Sequence, residues 1–267
     1  MPGGEPIAVC GDGPQLDLVL GGGSAHALVH PGVGARMRAM NHVVLDAESE
    51  TVLLHHPSDA VYYVLSGEGW VIEGAQELVL AEGTMVHIDA GTSHQLRAGS
   101  PGMTLVGGPA PVDPALYGDG TTLELSGPPA RSEAAPERSR VRLFHRDRPD
   151  LLMPLISSDA RLVVWPGVGA LTANMNYVRM APGEKNVPHV HPVSEDTIYI
   201  VAGSGSVRNV DDDSVQEFYA GQAIFVPAGV HHQVRADAGV PVVSVGGPCP
   251  PDYAMLRRLG AEFPADE

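Results

Sequence analysis

The chain has 267 residues, of which 43% are hydrophobic and 18% are charged, and its formal net charge is −16 at pH 7. That length accommodates two domains of about 100–150 residues each, and the hydrophobic share is ample for a buried core. An acidic surface repels phosphate backbones and anionic lipids, so nucleic acids and membrane surfaces are excluded as expected partners. The two cysteines, Cys10 and Cys249, are too few for a disulfide framework or a thiolate metal site.

The N-terminal residues 1–20 lack the basic region and apolar run of a signal peptide, and no stretch of about 18 apolar residues predicts a membrane-spanning helix. A cytoplasmic location is therefore expected. The 32 glycines and 24 prolines favour many short strands joined by tight turns. Helical periodicity is confined to the C-terminus, where residues 253–259 predict one short helix.

An internal repeat organises the strand-like segments. The sequence PGVGA occurs at residues 31–35 and again at 166–170, 135 positions later. With short insertions that fall in turns, three further pairs of segments align: VYYVLSGEG at 61–69 with TIYIVAGSG at 197–205, AGTSHQLRA at 90–98 with AGVHHQVRA at 228–236, and VGGPAPVD at 106–113 with VGGPCPPD at 245–252. Each copy is a succession of strand-length runs rich in Val, Ile, Tyr and Leu, which predicts an antiparallel sandwich or barrel.

The two copies define the expected domains. Residues 1–118 form the first barrel, and residues 141–267 form the second. Residues 119–140, which are polar and rich in Pro, Ala and Glu, form the predicted linker. Residues 141–160 begin the second domain, and part of this stretch is in a position to pack on the first.

A histidine pattern in the second copy indicates a metal site. His189 and His191 are two residues apart, so on a strand they share one face, and His232 follows in a later strand-like segment. Imidazole and carboxylate donors without a thiolate suit Fe, Mn, Ni, Co, Cu or Zn and leave coordination positions open. The segments 183–203 and 221–232 resemble the two motifs of the cupin family, G(x)5HxH(x)3–4E(x)6G and G(x)5PxG(x)2H(x)3N.

The resemblance implies a bicupin: an all-β chain of two tandem cupin-type barrels, of the double-stranded β-helix or jelly-roll kind, with a short C-terminal helix. It implies one divalent transition metal, for which iron is preferred, and the ligands that carry over are His189, His191 and His232. The carboxylate ligand stays open between two neighbours. Asp196 has the register of the motif and is preferred, whereas Glu195 is one residue early but has the family's usual side chain. Without a local bulge only one of them can bind the metal, because adjacent strand residues face opposite ways.

The first copy has lost most of this pattern. Leu54 stands where the first histidine is expected, Ala60 where the carboxylate is expected, and Asp89 where the motif has proline. His56 and His94 remain, but two imidazoles alone seldom hold a catalytic metal. Nearby residues that could complete a distorted site are His42, His55, Asp59 and His87. The expected role of this barrel is structural, in packing on the second barrel or in the interface of a homodimer.

Polar residues around the motif are candidates for binding substrate or for acid–base chemistry. On the strand before the motif, either Tyr177 and Arg179 or Asn174 and Asn176 face the barrel interior, and Arg179 is a candidate clamp for a carboxylate. Asn186 precedes the first motif histidine by three residues and is a candidate catalytic residue. The remaining candidates are Tyr199 and Glu195 for catalysis and Arg208 for substrate binding.

These features favour an enzyme that acts on a small polar organic molecule through a mononuclear divalent metal. The metal would act as a Lewis acid or would activate dioxygen, and a dioxygenase-type oxidoreductase is preferred because the ligand set leaves positions open. A non-redox isomerase, lyase or hydrolase is the alternative, with Glu195 or Tyr199 as acid or base. A non-catalytic sensor or storage bicupin is a second alternative, which the retention of ligands in one copy disfavours.

Overall fold

The computed structural model describes residues 6–117 and 140–262. Over these residues it confirms an all-β chain that has one short C-terminal α-helix and three turns of 3-10 helix. The predicted linker, residues 119–140, lies outside the described residues except for Arg140. No helix within the described ranges has the length and apolarity needed to cross a membrane.

The first copy supplies nine strands and two 3-10 helices. The strands are β1 (Ala8–Cys10), β2 (Val19–Leu20), β3 (Gly23–Val29), β4 (Met40–Leu45), β5 (Glu50–Thr51), β6 (Asp59–Glu73), β7 (Gln76–Ala81), β8 (Thr84–Ile88) and β9 (Gln95–Ala110), and the 3-10 helices are Pro31–Val33 and Pro114–Tyr117. The nine-stranded sheet of the first barrel has the order β10-β8-β6-β9-β4-β3, in which β10 (Val141–His145) comes from the second half of the chain, and β2, β5 and β7 pair at its sides.

The second copy supplies ten strands, one 3-10 helix and the α-helix. The strands are β10 (Val141–His145), β11 (Leu151–Leu152), β12 (Asp159–Val164), β13 (Met175–Met180), β14 (Glu195–Ala202), β15 (Ser204–Asn209), β16 (Val215–Tyr219), β17 (Ala223–Val226), β18 (His232–Ala236) and β19 (Val242–Cys249), and the helices are Pro166–Val168 and α1 (Tyr253–Arg258). The second barrel consists of a seven-stranded sheet, β1-β17-β14-β19-β13-β12-β11, and a three-stranded sheet, β16-β15-β18.

The repeated PGVGA segment forms the same turn in both copies. In each copy, Pro-Gly-Val makes one turn of 3-10 helix. Gly34 and Gly169 then take φ angles of 95° and 87°, a left-handed conformation that glycine adopts at little cost. The two segments therefore share their sequence because both form this turn, which requires a glycine with positive φ.

Each barrel includes one strand from the other half of the chain. Strand β1 pairs antiparallel with β17, and Ala8 lies opposite Phe225. In the same way β10 pairs with β8, and Val141 lies opposite Ile88. The first residues after the linker therefore extend the sheet of the first barrel, not that of the second.

The two barrels share a hydrophobic core where they meet. Each barrel has its own buried interior, and a further cluster joins Tyr63 and Val106 of the first copy to Tyr177, Tyr199 and Phe225 of the second. Full burial of a large apolar side chain contributes about 1.5–3 kcal/mol. A shared core of this kind holds the barrels together as one unit.

Candidate metal centre

Three histidines and one aspartate converge inside the second barrel. His189 lies opposite His232 in an isolated antiparallel bridge, with backbone N···O distances of 3.1 and 2.9 Å. His191 is two residues further along, and Asp196 stands near the start of β14. One donor atom from each of the four side chains lies within 4.8 Å of the others. The Oδ2 atom of Asp196 is 3.8 Å from Nε2 of His191 and 3.5 Å from Nε2 of His232.

Hydrogen bonds fix the same tautomer in all three imidazole rings. Nδ1 of His189 donates to the Val187 carbonyl at 2.9 Å, and Nδ1 of His232 donates to the Val230 carbonyl at 3.1 Å. Nδ1 of His191 lies 2.8 Å from the carboxylate of Asp252. Because each acceptor is an oxygen without a proton to give, Nδ1 carries the hydrogen and Nε2 presents its lone pair.

The buried polar atoms of this cluster fit a bound cation. His191, Asp196 and His232 are each at most 5% exposed. Nε2 of His232 and Oδ1 of Asp196 are buried and have no hydrogen-bond partner among the described residues, which costs free energy unless another group satisfies them. Burial, together with the neighbouring His232 and His191, lowers the pKa of His189 to about 4, so this ring is neutral at physiological pH. Neutral imidazoles and a carboxylate are the donor set that a divalent transition metal takes.

Glu195 lies on the opposite face of β14 from Asp196, as the alternation of side chains along a strand requires. Its carboxylate accepts hydrogen bonds from the backbone N–H groups of Arg36 at 3.0 Å and of Met37 at 2.8 Å. These donors belong to the first barrel. The structure thus does not bring Glu195 to the cluster, as metal ligand or as acid–base residue, and uses it to join the two barrels.

The first copy makes the reciprocal contact. Asp59, which the repeat aligns with Glu195, accepts a hydrogen bond from the backbone N–H of Thr172 in the second copy at 3.3 Å. Thr172 in turn aligns with Met37. An acid at this position in both copies, including the copy that has lost its ligands, is the signal in the sequence that could have assigned Glu195 to the interface.

Asp252 contacts the four-residue cluster, and the sequence did not single it out. Its Oδ2 accepts from His191, and its Oδ1 accepts from the backbone N–H of Met255 at 2.9 Å, which caps the N-terminus of α1. The aligned Asp113 makes the same pair of contacts, with His56 at 2.9 Å and with the N–H of Ala115 at 3.0 Å. The aligned segments VGGPAPVD and VGGPCPPD both end in Asp, and this shared residue could have identified Asp252 from the sequence.

A cavity of about 70 Å³ lies beside the four-residue cluster. Its wall is mostly apolar and is made of side chains from β12 to β14, the loop before β12, β18, β19, α1 and the residue that follows α1: Met153, Ile156, Leu162, Val178, Met180, Ile198, Val234, Pro248, Met255, Leu256 and Leu259. Its polar side chains apart from the cluster are Asn174, Asn176, Asn186, Ser244 and Asp252. No lysine or arginine is among the described residues that line it.

The parity of β13 directs Tyr177 and Arg179, the predicted substrate-binding residues, away from the cavity. Asn174 and Asn176 line the cavity, so the residues of opposite parity point away from it. Tyr177 packs in the core between the barrels, with the guanidinium groups of Arg161 and Arg146 at 5.1 and 5.7 Å from its ring. Arg179 is exposed.

The remaining candidates have different surroundings. Asn186 lines the cavity, but its Oδ1 accepts from the backbone N–H of Val234 at 2.9 Å, which ties the loop before His189 to β18. Tyr199 does not line the cavity and stacks on His42 of the first barrel, with ring centroids 6.0 Å apart. Arg208 lies on the exposed β15–β16 hairpin, where its Nε donates to Asp213 at 3.0 Å. The structure brings only Asn186 of these three to the cavity.

In the first barrel, His56 and His94 remain close, with ring centroids 5.9 Å apart and both Nε2 atoms buried without a hydrogen-bond partner within residues 6–117 and 140–262. Leu54 and Ala60 are buried where the other two ligands would be. Asp59, His87 and Asp89 form a second cluster of potential metal ligands. The guanidinium of Arg142 binds to this cluster, 2.6 Å from Asp89 and 2.9 Å from His87. His55 is exposed and His42 stacks at the interface.

The geometry and the duplication agree with a known family. A model of the cupin domain matches residues 41–106 and 176–245, which together are just over half of the chain. The chain therefore belongs to the cupin family, and its two matched regions make it a bicupin.

Similar proteins and structures include several enzymes. The tetracenomycin polyketide synthase protein TcmJ of Streptomyces glaucescens is 32% identical over 84 residues, which are 32% of this chain and 55% of that protein. Oxalate oxidase GF-3.8 of Triticum aestivum is 32% identical over 81 residues, which are 28% of this chain and 36% of that one. This chain thus spans about half or less of the length of the two relatives.

Among solved structures, oxalate decarboxylase of Lactobacillus farciminis, in a formate complex, superposes with a TM-score of 0.66 at 16% identity and covers 91% of this chain and 85% of that one. The Mn(II) oxalate decarboxylase of Bacillus subtilis gives a TM-score of 0.67 at 16% identity, over 92% and 77% of the two chains. At this identity the likeness shows the fold alone.

Proposed function

We propose that the chain is a metal-dependent enzyme that uses its second barrel to act on a small organic molecule with polar groups at one end. The observation that carries the proposal is the set of four buried donors, three of them with their lone pairs turned inward by hydrogen bonds on the far side of the ring. The ligands are His189, His191, His232 and Asp196, and they hold one divalent transition metal.

The donor atoms define the class of metal but not the element. Imidazole and carboxylate ligands accept Mn, Fe, Co, Ni, Cu or Zn. Iron was preferred from the sequence, whereas the similar structure from Bacillus subtilis contains Mn(II). We propose manganese or iron, and elemental analysis of protein purified without chelators distinguishes them.

The reaction that we propose is an oxidation with dioxygen, of the dioxygenase type. When bound, a metal of this kind supplies a Lewis acid and a redox centre. The titratable side chains among the described residues lining the cavity are His189, His191, Asp196 and Asp252. The first three are proposed ligands and Asp252 is engaged with His191. Because no free acid or base faces the cavity among these residues, the non-redox isomerase, lyase or hydrolase is the weaker alternative.

The chain's own residues bind and orient the substrate. The apolar wall excludes water and binds the carbon skeleton. The amide groups of Asn174 and Asn176 orient the polar end beside the metal ligands, and Asn186 holds the loop before His189 against β18. Helix α1 covers the cavity with Met255 and Leu256 and, through Asp252, fixes the orientation of His191.

We keep the expected cytoplasmic location and the homodimer as proposals about the protein in the cell. The same experiment tests the enzymatic proposal and the alternative of a non-catalytic sensor or storage bicupin. Metal-loaded protein is expected to consume dioxygen with an organic substrate, and His191→Ala is expected to lose both metal and oxygen uptake. Stoichiometric metal without any turnover across hydroxylated, keto and carboxylate substrates would favour the sensor or storage function.

A further inference from the structure

The first barrel shows how an asparagine shared by both copies is satisfied when the chain itself occupies the pocket. The aligned VGGP segments continue beyond Asp113 and Asp252, and place Tyr117 at the position of Leu256. Met40-Asn41 likewise aligns with Met175-Asn176, so Asn41 is the counterpart of Asn176.

In the first barrel, a phenol from the chain donates to this asparagine. Oη of Tyr117 lies 3.0 Å from Oδ1 of Asn41, which is 2% exposed. The ring of Tyr117 stacks on His30, with centroids 6.0 Å apart. Burial raises the pKa of Tyr117, so its hydroxyl stays protonated and acts as the donor.

In the second barrel, the same acceptor has no such partner. Leu256 lines the cavity and has no hydroxyl, and Oδ1 of Asn176 is buried with no hydrogen bond from the part of the chain that the structure describes. The amide nitrogen packs against Gly247, where an added Cβ would lie 2.6 Å from it, just as the nitrogen of Asn41 packs against Gly108 at 3.0 Å. Both asparagines therefore direct their oxygen away from the glycine, towards the place that Tyr117 fills in the first copy.

Charge restricts what can take that place. With a divalent cation at the site, the carboxylates of Asp196 and Asp252 bring the lining close to neutrality, and no lysine or arginine lines the cavity among the described residues. A small dicarboxylate would bury two further negative charges without a cationic side chain to neutralise them, which is costly. A neutral molecule meets no such cost, and one that loses a single proton buries one charge instead of two.

We propose that the substrate of the second barrel is a small hydroxylated aromatic compound, whose phenolic hydroxyl donates to Oδ1 of Asn176 as Tyr117 donates to Asn41. Its ring packs on the apolar wall, and a second oxygen reaches the metal ligands. The cavity volume of about 70 Å³ is several times the roughly 10–15 Å³ that one water needs, so it can admit more than solvent. This inference rests on the proposed metal-dependent function and names its substrate class.

The test uses the full chain loaded with Mn(II) and the chromophoric probe 4-nitrocatechol, with metal content measured first. Wild type is expected to bind the probe, and the same concentration of oxalate is expected not to displace it. Asn176→Leu removes the acceptor, so probe affinity is expected to fall about tenfold while the metal stays. The matched control is Asn41→Leu, which makes the same change in the first copy and is expected to leave probe affinity unchanged.

A second variant keeps the proposal falsifiable where Asn176→Leu fails to fold. Leu256→Tyr gives the second barrel the phenol of the first, so it is expected to weaken probe binding more than tenfold with metal content intact. Leu256→Phe, which adds the ring without the hydroxyl, is expected to weaken it less. A metal-loaded wild type that binds oxalate in preference to 4-nitrocatechol overturns the inference and leaves the metal-dependent function standing. Protein that holds no metal overturns both.

Discussion

Replacing Asp252 with alanine tests how the structure prepares the proposed metal ligands. One carboxylate oxygen is 2.8 Å from Nδ1 of His191, and the other accepts from the N–H of Met255 at 2.9 Å. Without Asp252, His191 loses the partner that fixes its tautomer and the direction of Nε2. Loss of such a partner behind a metal ligand weakens metal binding about 10–100-fold, which is roughly 1.4–2.7 kcal/mol.

The same change also has a cost that does not involve metal. The buried Nδ1–H of His191 would lose its acceptor, at about 1–3 kcal/mol, and α1 would lose its N-cap, at about 1 kcal/mol. We therefore expect the free energy of unfolding of the metal-free protein to fall by roughly 2–4 kcal/mol. The matched control is Asp113→Ala, since Asp113 makes the same two kinds of contact in the first barrel.

The two variants should separate metal affinity from stability. Both are expected to lower the free energy of unfolding, measured with urea on metal-free protein. Only Asp252→Ala is expected to raise the dissociation constant for Mn(II), measured by competition with a chelator. Mn(II) binding by Asp252→Ala that is as tight as in wild type would refute this role of Asp252, and so would an equal loss of binding in Asp113→Ala.

Three further predictions follow from the site and the interface. Glu195→Gln is expected to keep the metal but to lower the free energy of unfolding by about 1.5–3 kcal/mol, because it weakens charge-assisted hydrogen bonds to the first barrel. Asp196→Asn is expected to lose the metal. Elemental analysis and urea unfolding of both variants check this, and loss of metal in Glu195→Gln with retention in Asp196→Asn would reverse the assignment. Burial, together with the neighbouring His56, lowers the pKa of His94 to about 3. His94 therefore takes up a proton in the unfolded state but not in the folded state, and the folded protein loses stability as the pH falls below about 6.5. From pH 7 to pH 5, the free energy of unfolding is expected to fall by about 2 kcal/mol less in His94→Gln than in wild type. Urea titrations that show equal falls in both proteins would contradict a buried, neutral His94. Arg179→Ala is expected to leave the affinity for 4-nitrocatechol within twofold of wild type, because Arg179 is exposed on the face of β13 away from the cavity; a tenfold loss would return it to the substrate site.

The sequence predicted the parts of the site that depend on local spacing. His189 and His191 share a face because they are two residues apart, and the ordered repeat located His232 on a strand that could reach them. Alternation along β14 also separates Asp196 from Glu195, but it does not say which of the two points inward. That choice depends on how the barrels dock, since Glu195 binds backbone groups of the first copy.

Other features depend on contacts between distant segments, which spacing does not encode. The parity of β13 is set by its pairing with β12 and β19 and by the packing of Tyr177 between the barrels. Asp252 reaches His191 from 61 positions away. The exchange of β1 and β10 between the barrels likewise requires knowledge of the docked pair. Comparison of the two copies position by position was the available guide to the roles of Glu195 and Asp252.

Metal content tests most directly whether the second barrel alone holds the metal. Wild type and the double variant His189→Ala plus His191→Ala would be purified without chelators, dialysed, checked for folding by circular dichroism and analysed for transition metals. We expect about one equivalent per chain in wild type and almost none in the variant, because the two imidazoles left in the first barrel, His56 and His94, are too few donors. Near-stoichiometric metal in the folded double variant would contradict it.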